Sequence, residues 1–366
     1  MSIWNEPHLL PDISEDARIS LGEGQTPLVR SRRIGPAVGL ERLFFNLEST
    51  NPTGSYKDRF AAAAVSDLMA RNVGVCLATS SGNAGAALAA YSAAAGVPCY
   101  VAVMDCVPPS KLRQMLAYGA RVFAVRGFGV EVDVTRSVLD RLAQLAANRK
   151  TTLQISAYCH APIGMRGVET LGHELEQKCP NTIDHVFCPA GGGGLTLAVA
   201  RGLDDAGRRN GRPRPVAVEC VQPEGNDTIA GPLRRGESRA RPINSTTRVS
   251  GLQVSAVLDG DAVISACRAS GGTGHLVSDE QVFGAQTRLA REEGIFAEPA
   301  GAVAPAGALA ALEAGYLRSD ATVVCLVTST GFKDEPAIER MVGQHHIPCL
   351  EHVAEIDAWL DEQLNR

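Results

Sequence analysis

The sequence lacks the features that would assign it to a membrane, secreted, zinc-binding or nucleic-acid-binding class. No stretch approaches the roughly 20 consecutive apolar residues that a membrane-spanning helix needs. Residues 1–6 lack the basic and apolar regions of a signal peptide. The ten cysteines include no Cys-x-x-Cys pair, so a zinc site is not indicated. The net charge of -5 gives no electrostatic reason to expect a nucleic-acid partner.

Composition and cysteine usage favour an ordinary globular enzyme of the cytoplasm. Of the 366 residues, 45% are hydrophobic and 20% are charged, and this length is enough for two lobes. The cysteines lie mostly inside apolar runs, which predicts reduced, buried thiols. His345, His346 and Cys349 stand close together, but no further ligand clusters with them, so a surface loop is expected there. We therefore predict a cytoplasmic protein without a bound metal, a membrane or a nucleic-acid partner.

Strand and helix patterns alternate along most of the chain, which predicts an α/β fold with parallel sheets and right-handed crossovers. The predicted strands are 42–47, 73–78, 98–104, 121–125, 151–156, 185–187, 215–221 and 322–327. The predicted helices are 58–68, 83–95, 110–118, 130–148, 167–178, 195–204, 279–293 and 302–313. The alternation forms two blocks, so we predict two lobes, each an open, mostly parallel sheet flanked by helices. No Gly-x-Gly-x-x-Gly follows the first strand, which argues against a dinucleotide-binding enzyme.

The stretch 51–59 carries the main candidate for catalysis. Pro52 and Gly54 exclude a regular element and predict a tight turn. Lys57 stands where this turn passes into an alanine-rich helix, close to the positive end of the helix dipole. The dipole and burial both disfavour the protonated amine. Lys57 is therefore predicted to be a nucleophile able to form a Schiff base, whereas a lone lysine at a helix start is more often an exposed surface residue.

A run of four glycines joins a strand to a helix at Gly191, Gly192, Gly193 and Gly194. Glycines let the backbone approach an anion closely, and the free N–H groups at the start of the helix bind it. A tight strand-to-helix turn without a ligand would use the same residues. The run therefore indicates an anion site only in combination with other motifs.

Two other turns follow strands and carry hydroxyl and amide groups. The turn 79–85 contains Asn83, and it can hold a carboxylate or simply cap the helix that follows. The segment 328–334 follows the last strand, and Thr328 and Ser329 open it. Ligands of open α/β sheets bind at the carboxyl ends of strands, so both turns are candidates for a ligand site.

Together these segments resemble the fold-type II pyridoxal phosphate enzymes of the tryptophan synthase β-like superfamily, and most closely the threonine synthases. Segment 53–59, Thr-Gly-Ser-Tyr-Lys-Asp-Arg, is similar to their lysine motif, and segment 21–28 shares their Leu-Gly-Glu-Gly-x-Thr-Pro-Leu pattern. The motifs follow in the expected order from Leu21 to about Asp334. The resemblance implies a pyridoxal 5'-phosphate cofactor in a cleft. It also implies a small domain of residues 60–161 inserted into a large cofactor-binding domain of residues 1–59 and 162–366.

The resemblance implies roles for the candidate residues. Lys57 would hold the cofactor as a Schiff base and then move the substrate's α-proton as a general base. The glycine run, closed by Leu195 and Thr196, would bind the phosphate. Asn83 would hydrogen-bond the phenolic oxygen. Thr328 would face the pyridine nitrogen and leave it unprotonated.

Other residues are expected around these. Ser80, Ser81 and Gly82 would face the substrate carboxylate. Ser329 replaces Thr328 if the register slips by one. Glu298 matches a family loop near the cofactor, although a structural ion pair is an equally good interpretation.

The segment 156–167 departs from the threonine synthase pattern. Those enzymes usually carry a basic residue and a Glu-Gly pair there for the phosphate of O-phosphohomoserine, whereas this chain has Gly164 and Arg166. Either Arg166 takes over the anion contact or the substrate is not a phosphate ester. His160 is either a polar contact in the cleft or a packed structural residue. The Arg-rich segment 231–248 is either a solvated loop or a basic flap that attracts an anionic substrate.

We predict a pyridoxal phosphate-dependent lyase that forms a homodimer. It acts on a small amino acid by β- or γ-elimination or replacement, as threonine synthase does with O-phosphohomoserine. A β-replacement synthase (cysteine, cysteate or diaminopropionate type) or a serine/threonine dehydratase is the alternative. A non-catalytic binding protein of the same fold is a further alternative, against which Lys57, Asn83 and the intact glycine run argue.

Overall fold

The computed structural model describes residues 2–80, 82–105, 107–129, 131–254, 256–343 and 347–365. The strands formed by these residues are β1 Leu28–Arg30, β2 Leu43–Leu47, β3 Cys76–Thr79, β4 Cys99–Met104, β5 Arg121–Val125, β6 His185–Pro189, β7 Ala217–Pro223, β8 Gly274–Val277 and β9 Val323–Val327. The α-helices are α1 Ile34–Ala37, α2 Lys57–Ala70, α3 Asn83–Ala94, α4 Pro109–Ala117, α5 Val132–Ala147, α6 Pro162–Lys178, α7 Gly194–Arg209, α8 Ala230–Arg234, α9 Gly260–Ser270, α10 Asp279–Glu293, α11 Pro299–Glu313, α12 Glu335–Val342 and α13 Glu355–Leu364.

The larger sheet has six strands in the order β1-β2-β9-β6-β7-β8. β1 is antiparallel to β2, and all other neighbours are parallel. Every residue of β9 is buried, as expected for a parallel strand covered on both faces, and its sequence is the apolar run Val-Val-Cys-Leu-Val. Because β2, β9 and β6 are parallel neighbours, their carboxyl ends meet at one edge. The loops that begin at residues 48, 328 and 190 therefore lie side by side.

The smaller sheet contains β3, β4 and β5 in that order, all parallel. Its first strand, β3, ends at Thr79, and Ser80 follows at its carboxyl end. An isolated bridge from Ala78 to Gln154 extends the sheet by a single residue pair. Among the described residues, no helix combines the length and apolarity needed to cross a bilayer.

Helix α2 lies at the centre of the molecule and packs against α3 and α6. Its residues from Asp58 to Ser66 are all buried, and a run of alanines keeps this face of the helix narrow. A side chain at Gly167 of α6 would collide with the backbone carbonyl of Arg59. Glycine at this position therefore lets the two helices approach closely and holds the start of α2, where Lys57 stands, in a fixed position.

The predicted elements mostly form, but several differ, and β1, α1, α12 and α13 were not predicted. Residues 151–156 make no strand, because the chain turns back through the bonds Ile155 N–Leu153 O and Ala157 N–Ile155 O after the bridge at Gln154. Helix α6 begins at Pro162 rather than residue 167, since proline is well suited to the first position of a helix. The region 222–278, which we expected to be irregular, contains α8, α9 and β8. His345 and His346 lie outside the described residues.

Candidate active site

Lys57 is the first residue of α2, and its amine reaches toward the segment that precedes α6. Its Nζ donates to Ser156 Oγ at 2.9 Å and lies 4.5 Å from the centroid of the Tyr56 ring. The backbone oxygen of Ser156 lies 3.0 Å from where a Cβ at Gly194 would stand. Ser156 therefore contacts the lysine with its side chain and the glycine run with its backbone.

The glycine run forms the turn between β6 and α7. Gly193 has φ of +95°, a left-handed conformation that favours glycine, and α7 begins at Gly194. A Cβ at Gly192 would lie 2.8 Å from Leu258, so the loop is packed too closely for larger residues. Leu195 and Thr196 are buried in the first turn of α7, and Thr196 Oγ1 has no hydrogen-bond partner in the described structure. Free N–H groups and this hydroxyl can accommodate an anion at the start of the helix.

The Lys57 turn is hydrogen-bonded to the segment that follows β9. Tyr56 N donates to Thr328 O at 3.0 Å, and Thr330 N donates to Gly54 O at 2.9 Å. The hydroxyl of Ser329 donates to Glu298, whereas nothing in the described part of the chain hydrogen-bonds the hydroxyl of Thr328. The arrangement favours Thr328 over Ser329 as the residue available to a ligand.

Asn83 connects the smaller sheet to the same place. It opens α3, and its Nδ2 donates to Glu298 Oε1 at 2.9 Å. Ser80 Oγ accepts from the backbone N–H of Gly82 at 3.2 Å, which shapes the turn before α3. Ser81 lies outside the described residues. The turn that carries the expected carboxylate-binding residues is therefore adjacent to the Thr328 segment.

Glu298 accepts hydrogen bonds from both Asn83 and Ser329, whereas its position in the sequence suggested no definite role. It is buried, and burial raises the pKa of its carboxyl group, against the opposing hydrogen bonds from Ser329 and Asn83. Its backbone N–H donates to Ser329 O at 3.3 Å. The residue joins α3 to the ends of β9 and α11 through side-chain and backbone bonds.

A second lysine lies beside the Lys57 turn and was not identified from the sequence. Lys333 Cε lies 3.2 Å from where a Cβ at Gly54 would stand, and Lys333 Nζ donates to Gln114 Oε1 at 2.7 Å. Burial lowers the pKa of this amine, although Glu298 and Asp58 act in the opposite direction. Burial also raises the pKa of Asp58 to about 7. Lys333 is therefore the natural comparison for any test of Lys57.

The charged network behind Lys57 was also missed. Arg59 is completely buried and pairs with Glu48 at 2.8 Å and with Glu174 at 2.5 Å. Gly24 of the Leu-Gly-Glu-Gly segment has φ of +87°, and a Cβ there would lie 3.2 Å from Arg59 Nη1. The segment that carried the family resemblance thus forms a wall around a buried arginine. The sequence signal for it was an arginine two residues after the lysine, directly before the apolar run that begins at Phe60.

Asp259 is another residue that only the structure identifies. It is buried, accepts from the backbone N–H of Tyr158 at 2.7 Å and of Cys159 at 3.2 Å, and donates its own N–H to Gly192 O at 3.0 Å. It ties the segment containing Ser156 to the glycine run. The Asp259-Gly260 pair before α9 is a helix-start signal that could have been read from the sequence.

Two expected residues lie at the margin of this group. Arg166 is exposed in the second turn of α6, where it acts electrostatically on Glu169, rather than at the start of the helix as we expected. Its neighbour Met165 contacts Ser156 Oγ through Sδ at 3.5 Å. His160 is half-buried, and its backbone N–H donates to Ala157 O at 3.2 Å.

The Arg-rich segment 231–248 is largely neutralised by its neighbours. Arg235 and Arg241 pair with Glu237 at 2.8 and 2.9 Å, and Arg248 pairs with Asp279 at 3.4 Å. These exposed ion pairs favour the interpretation as a surface loop over that of a basic flap.

Known proteins are similar to this chain over most of its length. Residues 19–329 match the family described as "Pyridoxal-phosphate dependent enzyme". The threonine synthases of Methanosarcina acetivorans and Methanocaldococcus jannaschii are 31% and 32% identical over 344 and 343 residues, covering 92% and 93% of this chain and 81% and 82% of those proteins. The structure of maize serine racemase matches with a TM-score of 0.73 at 21% identity, covering 100% of this chain and 98% of that one.

These similarities confirm the predicted α/β fold and the predicted cofactor. The six-stranded and three-stranded sheets are the two sheets of fold type II, and the cofactor of the family is pyridoxal 5'-phosphate. The chain belongs to the family of pyridoxal phosphate-dependent enzymes, of fold type II, and is related to the threonine synthases.

Proposed function

We propose that the protein is a lyase of the threonine synthase type that converts O-phosphohomoserine to threonine. The observation that carries the proposal is the position of Ser156, which contacts the Lys57 amine and the glycine run at once. A lysine amine and an anion-binding glycine loop that contact the same serine suit a cofactor that combines an aldehyde with a phosphate. The identity of about 30% to threonine synthases supports the substrate.

The residues present fit pyridoxal phosphate. The glycine run carries no side chains that would cover its backbone N–H groups, and the hydroxyl of buried Thr196 at the start of α7 has no hydrogen-bond partner in the described structure. The N–H groups of Gly191, Gly192, Gly193 and Gly194 and of Leu195 would bind the phosphate in this proposal. Asn83 would donate to the phenolic oxygen, and Thr328 would face the ring nitrogen.

The chain's own groups would then act on the substrate. When bound, the cofactor supplies an electron sink for the charge that develops at the substrate's α-carbon. Lys57 Nζ, already directed at Ser156, would take and return the α-proton. Ser80, Ser81 and Gly82 would hold the carboxylate of the substrate. A hydroxyl rather than a carboxylate at residue 328 would favour elimination and replacement chemistry.

We also propose the domain boundaries expected from the family resemblance, with residues 60–161 as an inserted domain. All strands of the smaller sheet fall within that range, whereas those of the larger sheet come from both sides of it.

We further propose that the protein is a cytoplasmic homodimer. The cysteines of the described residues are unpaired, in keeping with a reducing compartment. Light scattering on the purified holoenzyme tests the dimer.

The lysine assignment is tested by borohydride reduction of the holoenzyme followed by peptide mapping. We expect the pyridoxyl label on Lys57, loss of the label and of turnover in Lys57→Met, and retention of the label in Lys333→Met. Lys333 is the matched control because it lies next to the same turn and its amine is partly desolvated. A label on Lys333 would overturn the assignment.

The substrate is tested with serine, phosphoserine, acetylserine, homoserine and phosphohomoserine. Threonine and inorganic phosphate from phosphohomoserine are the expected products. A specific observation favours the alternative lyases: Gly164 is buried against Phe60, and Arg166 is exposed, so neither provides a basic group inside the site. Ammonia from serine would identify a dehydratase, and replacement with acetylserine would identify a β-replacement synthase.

A further inference from the structure

Two histidines and two carboxylates meet where the N-terminal segment crosses the larger sheet's helices. Glu6 and His8 come from that segment, His173 comes from α6, and Asp205 comes from α7. The two imidazole rings are arranged edge to face, with centroids 5.1 Å apart. This cluster shares no residue with the site around Lys57.

The two faces of this ring pair carry different carboxylates. On one side, Asp205 Oδ2 lies 3.1 Å from His8 Nε2 and 3.2 Å from His173 Nε2. On the other, Glu6 Oε2 lies 3.8 Å from His8 Nδ1 and 3.7 Å from His173 Nδ1. Arg209 donates to Asp205 at 2.8 Å and Gln177 donates to Glu6 at 2.8 Å, so both carboxylates are held in place.

The positions of the two carboxylates determine which ring nitrogens are available to bind a cation. Asp205 lies on the Nε2 side of both rings and hydrogen-bonds His8 there, so the tautomer with the proton on Nε2 leaves the lone pair of Nδ1 facing Glu6 on both rings. Two lone pairs and a carboxylate then converge on the same space, at distances too long for hydrogen bonds. Such a set is mutually repulsive unless a cation or added protons lie between the groups.

His173 provides an independent indication of a ligand. It is only 4% exposed, and neither of its ring nitrogens forms a hydrogen bond in the described structure: Nε2 is unpaired although Asp205 Oδ2 lies 3.2 Å away, and Nδ1 lies 3.7 Å from Glu6 Oε2, which is too far for a hydrogen bond. A buried imidazole without a hydrogen bond is uncommon and calls for a partner.

We propose that Glu6, His8 and His173 bind a divalent ion of the zinc class, through Oε2 and the two Nδ1 atoms, with water as a further ligand. Zinc ligands at about 2.0–2.2 Å in a tetrahedron lie roughly 3.3–3.6 Å from one another. The Glu6 contacts of 3.7 and 3.8 Å are within a few tenths of an ångström of that spacing. Asp205 is the outer carboxylate on the far side of both rings, where it hydrogen-bonds His8 and lies 3.2 Å from His173; an outer carboxylate is usual for metal-bound histidines.

The ion would fasten the N-terminal segment to two helices. Helix α6 carries Met165, which contacts Ser156, and α7 begins at the glycine run. The inference is independent of the proposed reaction, because its residues lie outside the site around Lys57. The sequence did not indicate it, since the three ligands come from segments far apart in the chain and no spacing pattern joins them.

Isothermal titration of the chelator-treated holoenzyme with Zn²⁺ tests the proposal, with Mg²⁺ as the control ion that prefers oxygen ligands. We expect saturable binding of a single Zn²⁺, accompanied by a rise in melting temperature, and no response to Mg²⁺. His8→Ala should lose both signals, and Asp205→Asn should weaken zinc binding by about 10- to 100-fold.

The matched control is His352→Ala, which removes an exposed histidine elsewhere and should bind Zn²⁺ like the wild type. His173→Gln should also lose the site, and Glu6→Gln, which should lose it as well, is the variant to use if His173→Gln does not fold. Zinc binding that is unchanged in both His8→Ala and Glu6→Gln would overturn the proposal, as would the absence of saturable binding in the wild type.

Discussion

Glu298 Oε1 accepts a hydrogen bond from Asn83 Nδ2 at 2.9 Å, and the same oxygen accepts from Ser329. A single buried atom thus joins the turn before α3 to the end of β9. Each of these two segments contributes a proposed cofactor contact. We expect the geometry of both to depend on this carboxyl group.

Glu298→Ala should therefore weaken cofactor binding. Asn83 and Ser329 would lose a buried acceptor, and hydrogen bonds to charged groups contribute about 1.5–3 kcal/mol. The cofactor dissociation constant, measured by absorbance titration of the dialysed protein, should rise by roughly 10- to 100-fold. Glu298→Gln keeps one oxygen acceptor and should retain most of the affinity. An alanine variant that binds the cofactor as tightly as exposed Glu339→Ala would contradict this role.

Removing the guanidinium of Arg59 should strongly destabilise the protein. Arg59→Met would leave Glu48 and Glu174 buried without their partner, and breaking a buried ion pair costs about 3–5 kcal/mol. Burial acts against ionisation of Glu174, but Arg59 outweighs it and lowers the pKa of that carboxyl group to about 2. The denaturation midpoint in urea, with cofactor in excess, measures the effect.

Arg71→Met is the matched control, because Arg71 follows the same helix and its ion pair with Asp67 is partly exposed. Its effect should stay below about 1 kcal/mol. Equal midpoints for the two variants would show that the Arg59 network does not carry the expected energy.

Glu219 should make the free energy of unfolding depend on pH in the acid range. Burial opposes its ionisation, but hydrogen bonds from His185 and His275 lower the pKa of Glu219 from 4.5 to about 2. A depressed folded-state pKa stabilises the protein above the unfolded value of 4.5, and this contribution is lost as pH falls towards 2. The difference between the two values corresponds to about 3 kcal/mol.

Glu219→Gln should accordingly lower the free energy of unfolding at pH 6, and its deficit relative to wild type should shrink between pH 4.5 and 2. Denaturation curves across that range provide the measurement. Glu280→Gln, a change at an exposed carboxylate, should track the wild type. A deficit that stays constant with pH would mean that the Glu219 charge is not involved.

Arg166→Ala addresses substrate choice. Because Arg166 is exposed and acts on Glu169, the variant should leave KM for phosphohomoserine and cofactor binding nearly unchanged. A rise in KM of about 30- to 150-fold, the scale of a charge-assisted contact of roughly 2–3 kcal/mol, would instead show that Arg166 contacts an anionic group of the substrate. Arg201→Ala is the control, because Arg201 lies 4.2 Å from the Tyr158 ring and also acts on Glu169. Unchanged kinetics with a lower melting temperature would make Arg166 structural.

The local signals in the sequence were sufficient for the alternating elements and for the turns at Lys57, Gly193 and Thr328. Each depends on neighbours in the chain: glycine and proline restrict the backbone, and apolar periodicity marks buried strands and helices. Helix α10 was predicted with its observed bounds because a serine cap and a glycine stop delimit it. Helix α6 was started too late because the glycines at 164 and 167 weaken the helix pattern, although they are needed for packing against α2.

The tertiary structure alone decided which of these segments meet and which charged groups support them. Parallel neighbours in the larger sheet bring the loops after β2, β6 and β9 to one edge, and this strand order is not encoded in any local pattern. The supporting contacts join residues that are 11 to 215 positions apart in the chain. They are made by Arg59 with its two glutamates, by Asp259 and by Glu298. Burial turns such ordinary charged residues into structural or functional ones, and burial depends on the folded chain as a whole.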